Sequence, residues 1–295
     1  MRSKNLLNLI LNFTDANTSA PETQLKQVFS ISKVGPEIGL PLNPQGLIHN
    51  SKGDLLVADY ENHRIHCYSS EGKYRFHFGT WGNNPGAFKY PINIATDSHD
   101  NIYVIDEGNG VVKKFDMKGN FILQFEEGVL GHVFSLSIDS QDKIHIADPD
   151  NNRIAIFDSN GKATPFSAEQ SENLKAPCGV FCLEDGGAIV GDRSEFLLKR
   201  FDADGKLINQ VQQEGLGFDD IYFLACDPEH GIFGSDFWNN QIIHLNNDLE
   251  VVDTYRKQGN RTGGLGKTAG LSIHNGRLAV SNFDGKKIQV FNLPS

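Results

Sequence analysis

Residues 101–125 read NIYVIDEGNGVVKKFDMKGNFILQF and alternate apolar with polar side chains in three short runs. The runs are separated by Glu107–Gly110 and by Lys118–Asn120, and both breaks contain the Gly and Asn residues that favour tight turns. Alternation with a period of two, bounded by such turns, predicts antiparallel strands. The stretch therefore predicts three consecutive strands joined by short loops.

The first of these strands ends in an acidic residue that recurs through the chain at steps of 42 to 47 residues. The repeated acid or amide occupies Asp59, Asp106, Asp148, Asp192, Asp236 and Asn282. Around each of them the pattern predicts strands a, b, c and d, with the acid at the end of strand b. Six such units predict an all-β fold, a six-bladed β-propeller of four-stranded antiparallel blades around a channel.

The two ends of the chain predict how the ring closes. The sixth unit stops after strand c, whereas QLKQVFSISKV (24–34) alternates like a strand d without a blade of its own. Pairing this segment with the last blade removes an exposed sheet edge. We therefore expect a propeller over residues 24–295 and an N-terminal tail over 1–23, which fits a helical or disordered segment or a weak export signal.

Unit one also resembles a known repeat. Its pattern P-x-G…G-D-L-L-V-A-D-Y-E-N-H-R-I (44–65), echoed by IADPDNNRI (146–154), resembles the NHL repeat. The resemblance extends over nearly the whole chain beyond residue 24 and weakens in units four and six, where RSEFLL (193–198) and FDGKKI (283–288) replace the Asn-x-Arg stretch. It implies a six-bladed propeller but no particular activity, because one fold supports many functions.

One enzyme of the NHL family, the peptidyl-hydroxyglycine amidating lyase, holds zinc with three histidines, each close to the start of strand a. The resemblance directs attention to the position near the start of strand a in each unit. In this chain the six units have Gln45, Ile92, Phe134, Cys178, Tyr222 and Ala269 there. Catalytic zinc needs three protein ligands, and none of these six residues is a histidine. We therefore expect this chemistry to be absent and predict no metal or cofactor.

The functional site is expected at one mouth of the channel, where the loops after the repeated acid meet the crossings between units. Residues that differ between blades at these places are informative, because repetition explains the others. The candidate ligand-binding residues are Tyr60, Glu107, Arg193, Tyr222, Phe237, Trp238 and Phe283. The crossing 79–91 adds Trp81, Phe88 and Tyr90. Aromatic side chains beside charged ones suit contact with a protein or small molecule, which favours a non-catalytic binding scaffold.

A metal-dependent, lactonase-like hydrolase or lyase at the same mouth is the alternative. Its candidate catalytic residues are Arg193, Asp220, Tyr222, Glu107 and His132. Such a set can supply acid–base groups, but the chain contains no G-x-S-x-G elbow, Walker loop or H-E-x-x-H. The enzyme hypothesis therefore ranks second.

The composition limits which classes of partner the protein is expected to bind and in which cellular compartment we expect it. A formal net charge of −10 disfavours nucleic-acid binding, and no apolar stretch is long enough to cross a membrane. The four cysteines form no C-x-x-C pair, so we expect free thiols, which slightly favours the cytoplasm over export. A monomer is expected.

Overall fold

The computed structural model describes residues 25–32, 40–125, 132–164, 173–212, 221–256 and 265–294. Within these ranges, 23 strands form six antiparallel sheets, and each sheet is one blade of a β-propeller. The predicted fold class is therefore confirmed. In the described part of the chain, no helix is long and apolar enough to span a membrane.

The strands follow the predicted order in each blade. The first strand, β1 (Lys26–Ile31), precedes blade one. Blade one contains β2 (Pro44–His49), β3 (Leu55–Asp59), β4 (Arg64–Tyr68) and β5 (Tyr74–Phe78). Blade two contains β6 (Pro91–Thr96), β7 (Ile102–Asp106), β8 (Val111–Phe115) and β9 (Phe121–Phe125). Blade three contains β10 (Ser135–Ile138), β11 (Ile144–Asp148) and β12 (Arg153–Phe157). Blade four contains β13 (Pro177–Cys182), β14 (Ala188–Asp192), β15 (Leu197–Phe201) and β16 (Leu207–Gln212). Blade five contains β17 (Ile221–Asp227), β18 (Gly231–Asp236), β19 (Gln241–Leu245) and β20 (Val251–Arg256). Blade six contains β21 (Thr268–His274), β22 (Arg277–Asn282) and β23 (Lys287–Asn292).

The hydrophobic pattern of each strand reflects its place in the blade. Strand β3 is buried at all five positions, because both of its faces pack against neighbouring blades. The outermost strand β16 instead alternates between half-buried and exposed residues. The predicted turn between strands c and d contains Gly119 in blade two, where a φ of 83° favours glycine.

The first strands of the blades surround the channel. They contact one another in the order β2, β6, β10, β13, β17 and β21, and β21 contacts β2 again. Apolar side chains fill the interfaces between blades; Phe115 of blade two, for example, packs in one cluster with Ile65 of blade one. The ring is therefore continuous.

Strand β1 closes the ring, as predicted. It pairs antiparallel with β23, from Lys26 opposite Asn292 to Ile31 opposite Ile288. Ile31 is buried in the cluster between blades six and one. The strand is shorter than the predicted Gln24–Val34, and the predicted tail over 1–23 lies outside the described residues.

Blade three departs from the four-strand expectation. Its described residues form three strands, and Ala163 makes only an isolated antiparallel bridge with Phe157. Residues 165–172 lie outside the described ranges, so the predicted strand d is not tested beyond this bridge.

The antiparallel order defines the two ends of the channel. The loops between strands b and c and the crossings between blades lie at one end, which we call the mouth face. The turns between strands a and b and between strands c and d lie at the other end, the turn face.

Candidate functional site

The repeated acids anchor the loops of the mouth face. Asp106 is fully buried and accepts hydrogen bonds from the backbone N–H groups of Lys89 (2.9 Å) and Tyr90 (3.1 Å) in the crossing that enters its blade. It also accepts one from Asn109 Nδ2 at 2.6 Å and pairs with Lys113 Nζ at 2.9 Å. One carboxylate thus ties together a crossing, a loop and strand c, which is a structural role.

In each blade the repeated position meets a polar side chain that lies five or seven residues later in the chain. Seven residues after the repeated position, the side-chain partners are His66, Lys113, Lys199 and Gln289. Five residues after it, the partners are Arg153 and Gln241. In five blades the repeated carboxylate accepts, whereas in blade six Asn282 Nδ2 donates to Gln289 Oε1 at 3.4 Å. A constant position with interchangeable polar partners is typical of a group that builds the blade.

Asp59 shows how hydrogen bonds to a buried repeated acid affect the pKa of its carboxyl group. Burial alone would raise its pKa, but hydrogen bonds from His66, the Asn43 backbone and Asn62 outweigh burial and hold the pKa of Asp59 below its usual range. The carboxylate is therefore ionised at neutral pH.

A first aromatic cluster lies on the mouth face between blades one and two and consists of Tyr60, His63, Trp81 and Tyr90. Tyr60 stacks on Tyr90 with ring centroids 4.7 Å apart, and His63 meets Trp81 edge-on at 4.5 Å. The Tyr60 hydroxyl donates to Glu107 Oε2 at 3.2 Å. Burial and then the Glu107 carboxylate raise the pKa of Tyr60 to about 12. Two predicted residues, Tyr60 and Glu107, therefore lie together.

A second aromatic cluster lies on the mouth face between blades five and six and consists of Phe237, Trp238, Phe283 and Lys267. The ring of Phe237 contacts those of Trp238 (5.3 Å) and Phe283 (5.6 Å). Lys267 Nζ lies 5.2 Å from the centroid of Phe237 and 5.5 Å from that of Trp238. The structure thus brings three more predicted residues together and adds a cation–π contact.

Another aromatic pair joins two blades that are not neighbours. Phe134 directly precedes β10 of blade three and Tyr222 is the second residue of β17 in blade five, yet their ring centroids are 5.9 Å apart. Because blade four lies between these blades, the two rings meet at the mouth end of the channel.

The candidate catalytic residues are dispersed over several blades. Glu107 pairs with Tyr60 in the first aromatic cluster, and the exposed His132 Nδ1 lies 3.2 Å from Asp150 Oδ2 in blade three. Arg193 is exposed, and its backbone N–H donates to the Ala176 carbonyl. Asp220 lies outside the described residues. Among the residues that the structure describes, no group of three or more His, Cys, Asp and Glu side chains is arranged to hold a metal ion.

Two residues of the mouth face were missed from the sequence, and both occupy the fourth position after a repeated acid. This position has a positive φ in all six blades and is occupied by His63, Gly110, Asn152, Phe196, Asn240 and Lys286. Bulky side chains rarely adopt this conformation, so His63 and Phe196 are unusual there. Phe196 is also 44% exposed. A ring at a position that favours Gly or Asn was the signal in the sequence.

One residue of the predicted crossing has a different role. Phe88 is fully buried and packs against Phe115 between blades one and two, so it belongs to the core. The crossing folds back on itself through a bridge between Trp81 and Phe88. This fold leaves Trp81 57% exposed.

Comparison with known proteins agrees with this architecture. A family model described as NHL repeat matches residues 42–68. The Protein brain tumor of Drosophila melanogaster is 27% identical over 137 residues, which cover 44% of this chain and only 13% of that protein. Residues 42–68 thus match an NHL repeat, and the chain has the six-bladed β-propeller fold.

Solved structures share the fold at low sequence identity. A catalytically inactive virginiamycin B lyase from Staphylococcus aureus with quinupristin superposes with a TM-score of 0.63 at 14% identity, covering 88% of this chain and 83% of that one. A gluconolactonase from Xanthomonas campestris gives 0.64 at 13% identity, covering 87% and 88%. At such identities the likeness shows the fold alone.

Proposed function

We propose that this propeller is a non-catalytic scaffold that binds a protein through its mouth face. The proposal is carried by one observation, the concentration of exposed aromatic side chains on that face. Trp81 and Trp238 are each 57% exposed, and Phe196 is 44% exposed. All three lie in crossings or in loops between strands b and c.

The other exposed large hydrophobic residues among those described have a different character. They lie on outer strands or on a turn between strands c and d, and they are Val28, Tyr74, Met117, Ile122, Ile208, Val251 and Val252. Six of these seven are aliphatic or Met, whereas Trp and Tyr are the types enriched at protein interfaces. The mouth face is therefore compositionally distinct from the rim of the propeller.

The shape of the mouth supports a protein partner over a small ligand. Small-molecule sites are concave and bury most of their ligand. Here the two aromatic clusters lie apart, one between blades one and two and the other between blades five and six, and Phe134 and Tyr222 form a third contact at the mouth end. A broad surface with separated aromatic anchors suits a protein.

The ring of Phe196 supports the same proposal. A positive φ recurs at this position in all six blades, so the backbone conformation belongs to the repeat. The feature specific to blade four is the bulky ring placed there, which is 44% exposed and gains little from burial.

Site-specific crosslinking tests the proposal. The photoreactive p-benzoylphenylalanine replaces the aromatic residue at position 81, 196 or 238, and the chain is expressed in the cells that normally make it. The matched control places the same group at position 208 on β16, where Ile208 is 53% exposed on the outer rim. We expect one protein to be crosslinked from the three mouth positions and not from position 208.

Crosslinks of equal yield from all four positions would contradict the proposal. The alternative, a metal-dependent hydrolase or lyase, predicts a stoichiometric metal in the protein purified from those cells. It also predicts loss of that metal in Glu107→Gln or Asp220→Asn protein, because carboxylates are the metal ligands among the candidate residues. Elemental analysis of the wild type and both variants distinguishes the two functions.

A further inference from the structure

A pocket lies between blades five and six on the side of the turn face, away from both aromatic clusters. Its volume is about 410 Å³, which is in the range of sites for small organic molecules. Its wall contains His230 in the a–b turn of blade five, His244 on β19, Asp253 and Tyr255 on β20, and Pro294 after β23. The pocket is therefore separate from the surface to which the proposed function is assigned.

One face of blade five forms the aromatic part of this wall. His244 lies opposite Phe233 on β18 and opposite Asp253 on β20, and side chains opposite each other in antiparallel strands share a face. Tyr255 lies two residues after Asp253 and therefore on the same face. The ring of His244 stacks on that of Phe233 at 4.3 Å, and the ring of Tyr255 lies 6.3 Å from it. Phe233 and Tyr255 belong to the apolar cluster between blades five and six, so this face points toward blade six.

Two buried polar atoms on this face have no hydrogen-bond partner within the described part of the chain. They are Nδ1 of His244 and the hydroxyl oxygen of Tyr255. His244 is only 8% exposed and Tyr255 only 6%. A buried polar atom without a partner destabilises the fold, and native proteins leave few of them. Because both residues line the pocket, a ligand bound there can supply the missing hydrogen bonds.

The ring of His244 offers an acceptor to such a ligand. Its Nε2 lies within hydrogen-bonding distance of the His230 carbonyl oxygen, which can only accept. Burial lowers the pKa of His244 by more than this hydrogen bond and the nearby Asp253 raise it. The ring is therefore neutral at neutral pH, with its proton on Nε2 and a lone pair on Nδ1. The ligand must accordingly donate a hydrogen bond to Nδ1.

The charged groups of the pocket favour a cation. Glu229 and Asp253 both line it, and none of the lining residues that the structure describes is Lys or Arg. Asp253 Oδ1 accepts the backbone N–H of Thr254 at 2.7 Å, and its second carboxylate oxygen can accept from a ligand. The second histidine of the wall, His230, has its Nδ1 2.7 Å from Asp227 Oδ1. Carboxylates beside aromatic rings suit a positively charged hydrogen-bond donor.

We propose that this pocket binds an organic ammonium group, of the kind that ends a lysine side chain or a small aliphatic amine. The ammonium donates to the Asp253 carboxylate, to Nδ1 of His244 and to the hydroxyl oxygen of Tyr255, and these three bonds match its three N–H donors. A metal ion fits less well, because no three His, Cys, Asp or Glu side chains of the described residues are arranged to hold one. The site does not depend on binding at the mouth face.

Calorimetric titration of the purified full chain tests the proposal. The probes are n-butylammonium and N-acetyl-lysine methylamide, and their uncharged controls are n-butanol and N-acetyl-norleucine methylamide. We expect both ammonium probes to bind saturably with a stoichiometry of about one and the uncharged controls not to bind. Tighter binding of the lysine amide would assign the pocket to a lysine side chain of a protein, whereas equal or tighter binding of n-butylammonium would assign it to a free amine. No saturable binding of either ammonium probe, or equal binding of the uncharged controls, would overturn the proposal.

Two conservative variants locate the site. Asp253→Asn removes the charge and should weaken binding of both ammonium probes by about tenfold or more. Tyr255→Phe keeps the ring and should weaken binding about threefold to tenfold. This variant should not lower the thermal midpoint of the protein without ligand, because the hydroxyl has no hydrogen bond to lose. Matched controls are Asp248→Asn in the c–d turn of the same blade and Tyr74→Phe on β5, and both should bind like the wild type. Undiminished binding by folded Asp253→Asn protein would contradict the assigned site.

Discussion

The rings of Phe134 and Tyr222 meet with their centroids 5.9 Å apart, although blade four separates the two blades that carry them. The contact therefore couples two non-adjacent blades at the mouth face. Edge-to-face aromatic pairs contribute about 0.5–1.5 kcal/mol beyond the area that they bury.

A double-mutant cycle should detect this coupling. Phe134→Ala and Tyr222→Ala each remove one ring, and the double variant removes both. We expect the double variant to lose less free energy of unfolding than the sum of the single variants, by about 0.5–1.5 kcal/mol in urea denaturation. Additive losses would show that the two rings do not interact in solution.

The buried pair of Asp106 and Lys113 makes a prediction about stability. Lys113→Gln leaves a buried carboxylate without its cation, so the free energy of unfolding should fall by about 3–5 kcal/mol. Blade six contains an uncharged version of the pair, Asn282 and Gln289, at the equivalent positions and equally buried.

The double variant Asp106→Asn, Lys113→Gln transplants that uncharged pair and should recover most of the loss. Urea denaturation of the wild type, the single variant and the double variant measures both effects. A double variant as unstable as Lys113→Gln alone would show that the carboxylate is needed for its other three hydrogen bonds.

The His145–Asp139 pair predicts a dependence of stability on pH. The pKa of His145 is about 9 in the folded chain, above the ordinary value of 6.5. Its contribution is therefore fully present below pH 6.5 and is lost as the pH rises through 9. We expect the free energy of unfolding to decrease over this window in the wild type, by up to about 3 kcal/mol, and to decrease less in His145→Gln protein. Parallel pH profiles for the two proteins would rule out the raised pKa.

The pairing of β1 with β23 predicts that two N-terminal truncations, one before β1 and one that removes it, differ sharply in thermal stability. Removing residues 1–22 leaves β1 intact and should hardly change the thermal unfolding midpoint. Removing residues 1–35 deletes the strand that pairs with β23, exposes a sheet edge and uncovers the cluster around Ile31. The midpoint should then fall markedly, and equal midpoints for the two truncations would contradict ring closure by β1.

The blades were predictable because their signals are local. The acid at the end of strand b and the Gly turn after strand c recur at a nearly fixed step, and both lie within one blade. The closure by β1 followed from counting strands, since a ring without it would leave one edge unpaired.

The site was predictable only in part, because its contacts join different blades. Tyr60, Phe237 and Trp238 were identified because they interrupt the repeat. Lys267 was not among the predicted site residues, because its approach to Trp238 depends on how blades five and six meet.

Binding through the mouth face is the central claim, and the exposed tryptophans test it most directly. The measurement is the amount of the crosslinked partner that co-purifies with tagged Trp81→Ala, Trp238→Ala protein, relative to the wild type and to the rim variant Ile208→Ala. We predict a loss of at least about tenfold in the double tryptophan variant, because interface tryptophans often contribute 2 kcal/mol or more, and no loss in Ile208→Ala. Undiminished recovery by a correctly folded double variant would contradict the claim that this face binds the partner.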